Sequence, residues 1–197
     1  MTLAVELTYL DLLQTIGSPR ESPNVDDLHA RWYEHDYAGM CEIIASHMGI
    51  EKPVKYVRDD DADIDALAWV PHSEEATIHA RENRMDQMSF GAATYVCAHE
   101  CAHIALYEKH SPLWCIETAV DIATMILGFS PFVLRGRTYI TSRWRSPRDT
   151  NPPSLIYRIL EAMDFVDRRI VGYISKSECM AIARLICIDR KLRNRAS

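Results

Sequence analysis

An apolar stretch in the middle of the chain, residues 91–107, leaves few choices of fold. Its sequence is GAATYVCAHECAHIALY, and its only groups expected to be charged or to bind metal near neutral pH are His99, Glu100 and His103. A charge inside an apolar interior costs several kcal/mol unless it is paired or coordinated. The stretch therefore predicts a buried helix whose three ionisable groups share a partner.

The spacing of the three groups suggests what that partner is. Residues four apart lie on one face of a helix, so His99 and His103 can bind one cation while Glu100 lies beside it. Zinc fits such ligands, and we expect one zinc ion per chain, with Glu100 as the catalytic base. The alternative, a pair of core histidines with satisfied hydrogen bonds, leaves the charge of Glu100 unexplained.

A catalytic zinc ion takes three protein ligands, so a third must lie nearby. Ser111 and Pro112 predict the start of a second buried helix that runs to residue 127 and closes at Gly128. Its only charges are Glu117 and Asp121, which share a face and would repel each other without a cation. We expect Glu117 to be the third ligand and Asp121 to accept a hydrogen bond from the free ring nitrogen of His99.

His110 and two cysteines are weaker candidates for the third ligand. His110 lies one position too late for the longer H-E-x-x-H-x-x-G-x-x-H pattern, although it remains an alternative from a loop. Cys97 and Cys101 each precede a histidine by two residues on the same helix, so we expect them to point elsewhere as small buried side chains.

The sequence H-E-x-x-H followed by E-x-x-x-D resembles the gluzincin class of zinc metallopeptidases. The short gap between the motifs is similar to HtpX/CAAX-protease-like and ImmA/IrrE-like peptidases, with phage-exclusion Lit-type peptidases as a further resemblance. The resemblance implies that His99, His103 and Glu117 are ligands, Glu100 the base and Asp121 their hydrogen-bond partner. The chain departs from the HtpX-like pattern at Asn151, which stands where that family has a histidine.

The resemblance implies an α+β fold, a zincin-like metallopeptidase domain that is mostly helical with a small antiparallel or mixed sheet. A chain of 197 residues with 48% hydrophobic content can build one sizeable core. We therefore expect a single domain over 1–197, with a helical cover at 1–50, the sheet and metal-site helices at 51–128, and a loop with helices at 129–197.

The local patterns predict the elements within these parts. Helices are expected to residue 16, over 25–48 with an end at Gly49, near 154–169 and over 175–193, with an irregular segment at 129–153. Three β-prone runs, 54–58, 66–70 and 77–81, predict an antiparallel sheet around an acidic turn at 59–65. In the zincin fold the last strand edges the cleft, so run 77–81 is the candidate for binding an extended peptide.

A hydrolytic site also needs a donor that stabilises the developing oxyanion. Four polar residues in the irregular part of the sequence are candidates, namely Tyr139, Asn151, Tyr157 and Arg158.

Charge and hydropathy narrow the partners and the location. The net charge of −6 argues against nucleic acid, and the basic end at 190–195 is expected to complement a helix dipole. The amino terminus lacks the basic region of a signal peptide, and we expect no apolar run to be long enough to span a membrane. We expect a cytoplasmic protein that does not bind membranes.

These features predict a soluble zinc-dependent metallopeptidase that cleaves an intracellular protein or peptide substrate. Two alternatives stay open. One is a regulatory protein-binding module on a zincin scaffold with little or no peptidase activity. The other is a structural zinc domain, which would need a fourth protein ligand.

Overall fold

A computed structural model describes residues 3–59, 66–69, 75–136, 138–142, 166–170 and 172–196. Most of these residues are helical, which confirms the expectation of a mostly helical protein. The helices are α1 (Leu3–Ile16), α2 (Val25–Tyr33), α3 (Tyr37–Met48), α4 (Glu82–Met85), α5 (Phe90–Glu108), α6 (Glu117–Thr124), α7 (Ser130–Gly136) and α8 (Lys176–Ala196). The strands are β1 (Val54–Arg58), β2 (Ala66–Trp69), β3 (Ala76–Ala80), β4 (Thr138–Ser142) and β5 (Val166–Ile170).

The amino-terminal part is helical as expected, but the helix predicted over 25–48 is two helices. The backbone turns at His35, whose φ is 59°, and Asp36 then caps α3 by accepting a hydrogen bond from the Gly39 N–H at 2.8 Å. Helix α3 ends at Gly49, which adopts the left-handed conformation (φ 67°) that glycine tolerates best. Within this helical amino-terminal part, α3 packs against α5.

The three-stranded sheet has the order β1-β3-β2. Strands β1 and β3 pair in parallel, with Val54 opposite Ala76, so the purely antiparallel sheet predicted from the three β-prone runs is wrong. Strand β2 pairs with the other side of β3 in antiparallel register. Strand β3 is therefore central, and the prediction that run 77–81 borders the cleft is also wrong, because neighbouring strands occupy both of its edges.

Helix α5 forms the centre of the core. Almost all of its residues are buried, and it contacts α3, α6, α7 and β2. Its amino terminus is capped by Ser89, whose side chain accepts a hydrogen bond from the Ala92 N–H at 3.4 Å. A helix that packs against other elements on several sides is apolar around its circumference. This explains the run of small apolar residues in the sequence of α5.

The helix predicted from Pro112 to residue 127 is interrupted. A short 3₁₀ turn, Pro112–Cys115, is followed by an extended residue, Ile116, and α6 then begins at Glu117. A short turn, Met125–Phe129, connects α6 to α7, and its backbone is non-helical at Gly128, so the first helix closes at Gly128 as predicted and the chain kinks there before α7. Gly128 adopts a φ of 107° beside the α1–α2 connection.

The carboxyl-terminal part differs from its predicted form. Helix α7 and strand β4 occupy part of the segment expected to be irregular, and β4 pairs in antiparallel with β5, which lies at the end of the segment expected to be helical. Helix α8 matches its prediction. Ser175 and Glu178 begin it with a reciprocal capping box, in which the Glu178 carboxylate accepts from the Ser175 N–H at 2.9 Å.

One helical run passes a length and hydropathy test for a membrane span, against the expectation that no run is long enough. Among the described residues, Glu117–Gly136 has a mean hydropathy of 1.4 over the tested window, but 72% of that window is buried inside the protein. This is weak evidence for a span, because buried core helices pass the same test.

We predict that Gly128→Ala destabilises the protein by about 2–5 kcal/mol, from backbone strain and steric overlap together. A Cβ at this position would overlap the carbonyl oxygen of Glu21 and lie 2.8 Å from His47 Nε2. Gly17→Ala is the matched control, because Gly17 also has a positive φ (84°) but no atom lies within 4 Å of its added Cβ. Urea unfolding should show a loss of only about 1 kcal/mol for the control. Equal losses would contradict the steric argument.

Candidate metal centre

The structure brings together His99, His103 and Glu117, which are the three predicted ligands. His99 and His103 extend from one face of α5, one turn apart, and Glu117 extends from the first turn of α6. Among the described residues, this is the one group of three such side chains whose ligand atoms lie close enough together to hold a metal ion.

The distances between the three atoms fit a tetrahedral ion. His99 Nε2 lies 2.9 Å from Glu117 Oε2 and 3.2 Å from His103 Nε2, and His103 Nε2 lies 3.5 Å from the same Glu117 oxygen. Ligand atoms about 2.0–2.1 Å from a tetrahedral zinc ion are about 3.3 Å apart, from simple geometry. The side chains therefore need little movement to hold zinc.

Hydrogen bonds fix the orientation of both imidazoles. His103 Nδ1 lies 2.6 Å from the carbonyl oxygen of Trp114, and His99 Nδ1 lies 2.9 Å from Asp121 Oδ1. A carbonyl and a carboxylate accept hydrogen bonds and do not donate them, so both Nδ1 atoms carry the proton. Both Nε2 atoms thus turn towards the point that they share with Glu117.

Asp121 is fully buried and accepts four hydrogen bonds. Its Oδ1 accepts from His99 Nδ1 and from the Tyr95 hydroxyl at 2.5 Å, and its Oδ2 accepts from the backbone N–H groups of Tyr173 at 2.8 Å and Ile174 at 3.1 Å. The contact expected from the sequence between Asp121 and His99 is therefore present. The two backbone donors, which no sequence pattern indicated, attach the carboxyl-terminal segment to the centre.

Glu100 lies beside the three ligand atoms and is buried, with 7% of its surface exposed. Its Oε2 accepts a hydrogen bond from the Ala68 N–H at 2.6 Å. This N–H points to α5, so it does not form a backbone hydrogen bond with β3. The edge of β2 that does not pair with β3 therefore faces the centre. Burial raises the pKa of Glu100, while the charges of His99 and His103 oppose the rise.

The same environment shifts the ionisation of the ligands. Burial alone would lower the pKa of His99, but the hydrogen bonds to Asp121 and Glu117 outweigh burial and raise that pKa to about 10. The hydrogen bond from His99 lowers the pKa of Glu117. In the absence of metal, a proton on His99 therefore satisfies part of the negative charge of the centre.

The competing ligands lie outside the cluster. His110 follows the end of α5 with a φ of 53°, and it is not part of the group that can hold a metal. Cys97 and Cys101 face α3, where the Cys101 thiol donates to the carbonyl oxygen of Cys41 at 3.9 Å. The hydrogen bond with the Cys41 thiol, followed by burial, raises the pKa of Cys97 well above its usual value, as expected for a small core side chain.

The described part of the structure places none of the four predicted oxyanion donors at the centre. Asn151, Tyr157 and Arg158 lie outside the described residues, as does most of the acidic turn at 59–65. Tyr139 is on β4, opposite Arg169 of β5, and only its backbone is described.

Several groups at the centre were not predicted from the sequence. The Tyr173 ring stacks on His99 with centroids 5.3 Å apart and an angle of 25°, and Tyr173 is 56% exposed. Tyr173 is far from His99 in the sequence, so no local pattern predicts this contact, and Trp114 contributes a backbone carbonyl. Tyr95 had a usable signal, because it precedes His99 by four residues on the same helix face.

Comparison with protein-family models, with curated proteins and with solved structures gives no match to this chain. The geometry of the centre therefore carries the functional argument.

We predict that the protein purified without chelator holds about one zinc ion per chain, measured by elemental analysis. Glu117→Ala removes one of three ligands and should weaken zinc binding at least about 100-fold in a chelator competition. His110→Ala is the matched control and should bind zinc like the wild type. If the wild-type protein takes up no zinc even when zinc is added, the assignment of a metal centre is wrong.

We predict that Asp121→Asn weakens zinc binding about 10–100-fold and lowers stability by about 2–4 kcal/mol. The amide group of asparagine cannot accept all four hydrogen bonds, so at least one buried donor loses its partner. Asp11→Asn, at an exposed position on α1, is the control and should change neither quantity. Unchanged zinc affinity in Asp121→Asn would show that the Asp121–His99 contact does not support metal binding.

Proposed function

We propose that this protein is a zinc-dependent metallopeptidase of the gluzincin type on a zincin-like scaffold. The observation that carries the proposal is the convergence of His99 Nε2, His103 Nε2 and a Glu117 oxygen within 3.5 Å of one another, with Glu100 beside them. The proposed substrate is a protein or peptide in the cytoplasm. That location rests on the sequence analysis alone.

The residues present suit a catalytic zinc site better than a structural one. Two imidazoles and one carboxylate supply three ligands, and no fourth ligand joins them among the described residues. Three ligands leave a position for water or substrate, as in hydrolytic zinc sites. A zinc ion held by His99, His103 and Glu117 would supply Lewis acidity and lower the pKa of water towards about 7.

Glu100 would perform the proton transfers of peptide hydrolysis. Its carboxylate takes a proton from the water as the oxygen attacks the carbonyl carbon of the peptide bond. The C–N bond then breaks, and Glu100 delivers the same proton to the leaving nitrogen, which departs as an amine. Burial raises the pKa of Glu100 and so favours this exchange of a proton near neutral pH.

Strand β2 would hold the peptide in an extended conformation. Its inner edge pairs with β3, and the outward Ala68 N–H shows that its outer edge faces Glu100. An extended chain that added to this edge would pass across the three ligand atoms. Strand β2 thus replaces the run 77–81 that the sequence suggested.

Tyr173 is the described side chain best placed to stabilise the oxyanion. Its ring stacks on His99 and the residue is largely exposed, so it lies next to the centre on a side that solvent can reach. A phenol can donate a hydrogen bond to a developing oxyanion. Tyr173 is therefore a candidate in addition to the four donors suggested by the sequence.

One observation favours the alternative, a regulatory protein-binding module that does not cleave its partner. The Ala68 N–H already bonds to Glu100, so in this state the edge strand engages the proposed base. A partner that binds the same cleft without being hydrolysed would preserve this contact. The role of Glu100 therefore separates the two functions.

We predict that Glu100→Gln keeps about one zinc ion per chain but lowers peptide hydrolysis by a factor of about 100 to 10,000. Gln has the shape of Glu but cannot take up the proton. Cleavage is measured with a zinc-loaded protein and a mixture of unstructured peptides analysed by mass spectrometry. Glu42→Gln, at an exposed position on α3, is the control and should retain full activity.

Two outcomes would contradict the peptidase assignment. Peptide cleavage that persists in Glu100→Gln would show that the base is another group. Zinc binding without any cleavage by the wild type, together with partner binding that Glu100→Gln leaves intact, would identify the protein as a binding module.

A further inference from the structure

A second concave site lies away from the metal centre. It is a cleft of about 370 Å³ between α7 and the second half of α8, and it is closed on one side by Ser22 in the α1–α2 connection. This volume is within the range of small-molecule sites, roughly 300–1,000 Å³. The cleft is large enough for a ligand with more than one chemical group.

The cleft concentrates positive charge in a protein whose net charge is −6. Arg135 of α7 and Arg190 and Lys191 of α8 line it, and no acidic residue does. Among the described residues, neither Arg135 nor Lys191 forms an ion pair. Like charges gathered in one cleft repel each other, so an anion bound there would lower the electrostatic energy of the fold.

Arg190 is only partly satisfied by the protein. Its Nη1 lies 3.4 Å from a carboxylate oxygen of Glu21, a long contact to a side chain that is 85% exposed. Its Nε is buried and has no hydrogen-bond partner in the described part of the chain. Buried donors are nearly always hydrogen bonded, so the protein leaves the hydrogen-bonding capacity of Arg190 incompletely used.

Helix-dipole complementation, expected from the sequence for the basic carboxyl-terminal end, explains only part of this charge. The basic residues in the last turn of α8 are Arg193 and Arg195, and the effect of the dipole falls off within that turn. Arg190 and Lys191 lie further from the end of the helix. Their position along the cleft therefore needs another reason.

The remaining lining indicates the class of ligand. Ser22, Ser130 and Asn194 add neutral polar groups, while Pro131, Leu134 and Ile186 form an apolar part. A phosphate group has up to two negative charges and several acceptor oxygens, which matches two guanidinium groups and one ammonium group. The apolar part matches an organic body attached to the phosphate.

We propose that this cleft binds a small phosphorylated organic molecule, with Arg135, Arg190 and Lys191 on the phosphate and Leu134 and Ile186 on its apolar body. The site is separate from the proposed peptidase activity and does not depend on it.

Calorimetric titration of the full chain with inorganic phosphate and with phenyl phosphate tests the proposal. We expect phenyl phosphate to bind one site per chain, about tenfold more tightly than inorganic phosphate, because its ring buries apolar surface. The double substitution Arg135→Gln and Lys191→Gln should weaken both ligands at least about tenfold. Leu134→Ala should weaken phenyl phosphate while leaving inorganic phosphate unchanged.

Matched variants keep the test independent of folding and of the metal centre. Lys176→Gln removes the same charge at the other end of α8, about 22 Å from Lys191 along the helix axis, and should bind like the wild type. Asn194→Asp, at an exposed position, should repel the phosphate and weaken binding. Glu117→Ala should leave phosphate binding unchanged, so failure of the metal assignment would not affect this result.

Three results would overturn the proposal. One is the absence of saturable binding of phenyl phosphate by the wild type. Another is binding that Lys176→Gln weakens as much as the double substitution does, because this would indicate general charge attraction. The last is binding of a single-stranded oligonucleotide or of anionic lipid vesicles, lost in the double substitution, without binding of phenyl phosphate. That result would assign the cleft to a macromolecular or membrane phosphate.

Discussion

The buried carboxylate of Asp121 is the interaction on which the arrangement of the centre depends. A carboxylate with no exposed surface is tolerated only when hydrogen bonds replace its hydration, and Asp121 accepts four of them. These donors come from α5 and from the segment that precedes α8. One side chain on α6 therefore joins His99 to a part of the chain more than fifty residues away from Asp121, and a change in any donor alters the others.

The sequence predicted the ends of helices correctly where those ends depend on interactions between neighbouring residues. The left-handed cap at Gly49 and the capping box at Ser175 depend on a few neighbouring residues, so the ends they mark were predicted correctly. The pairing of strands depends on residues far apart, and here the prediction failed. In the order β1-β3-β2, the third β-prone run lies between the two runs that precede it in the chain, so the second run forms an edge. No pattern within a single run indicates this order.

The same distinction applies to the centre. His99, Glu100 and His103 are spaced along one helix, and Glu117 and Asp121 along another, so helical periodicity was enough to group them. The groups that were missed either are backbone atoms, such as the Ala68 N–H and the Trp114 carbonyl, or reach the centre through tertiary structure, such as Tyr173. Any residue type can supply a backbone atom, so such a group cannot be recognised from residue identity. A contact made only through tertiary structure produces no periodic pattern in the sequence.

The choice between a proton and a metal ion at this centre is an electrostatic one. With both Nδ1 atoms protonated, the two Nε2 atoms and a Glu117 oxygen present lone pairs to one another at 2.9–3.5 Å. One proton can form a hydrogen bond between two of these atoms, but the third then faces a lone pair without a donor. Glu117 belongs to this group, Asp121 bonds to the other ring nitrogen of His99, and Glu100 is buried on the same helix. When all three carboxylates are ionised, one proton leaves two negative charges in a region of low dielectric. A divalent cation satisfies all three lone pairs and leaves a single negative charge. This difference in charge and in satisfied lone pairs is the physical basis for proposing a metal ion, and not a proton, as the partner of the ionisable groups on helix α5.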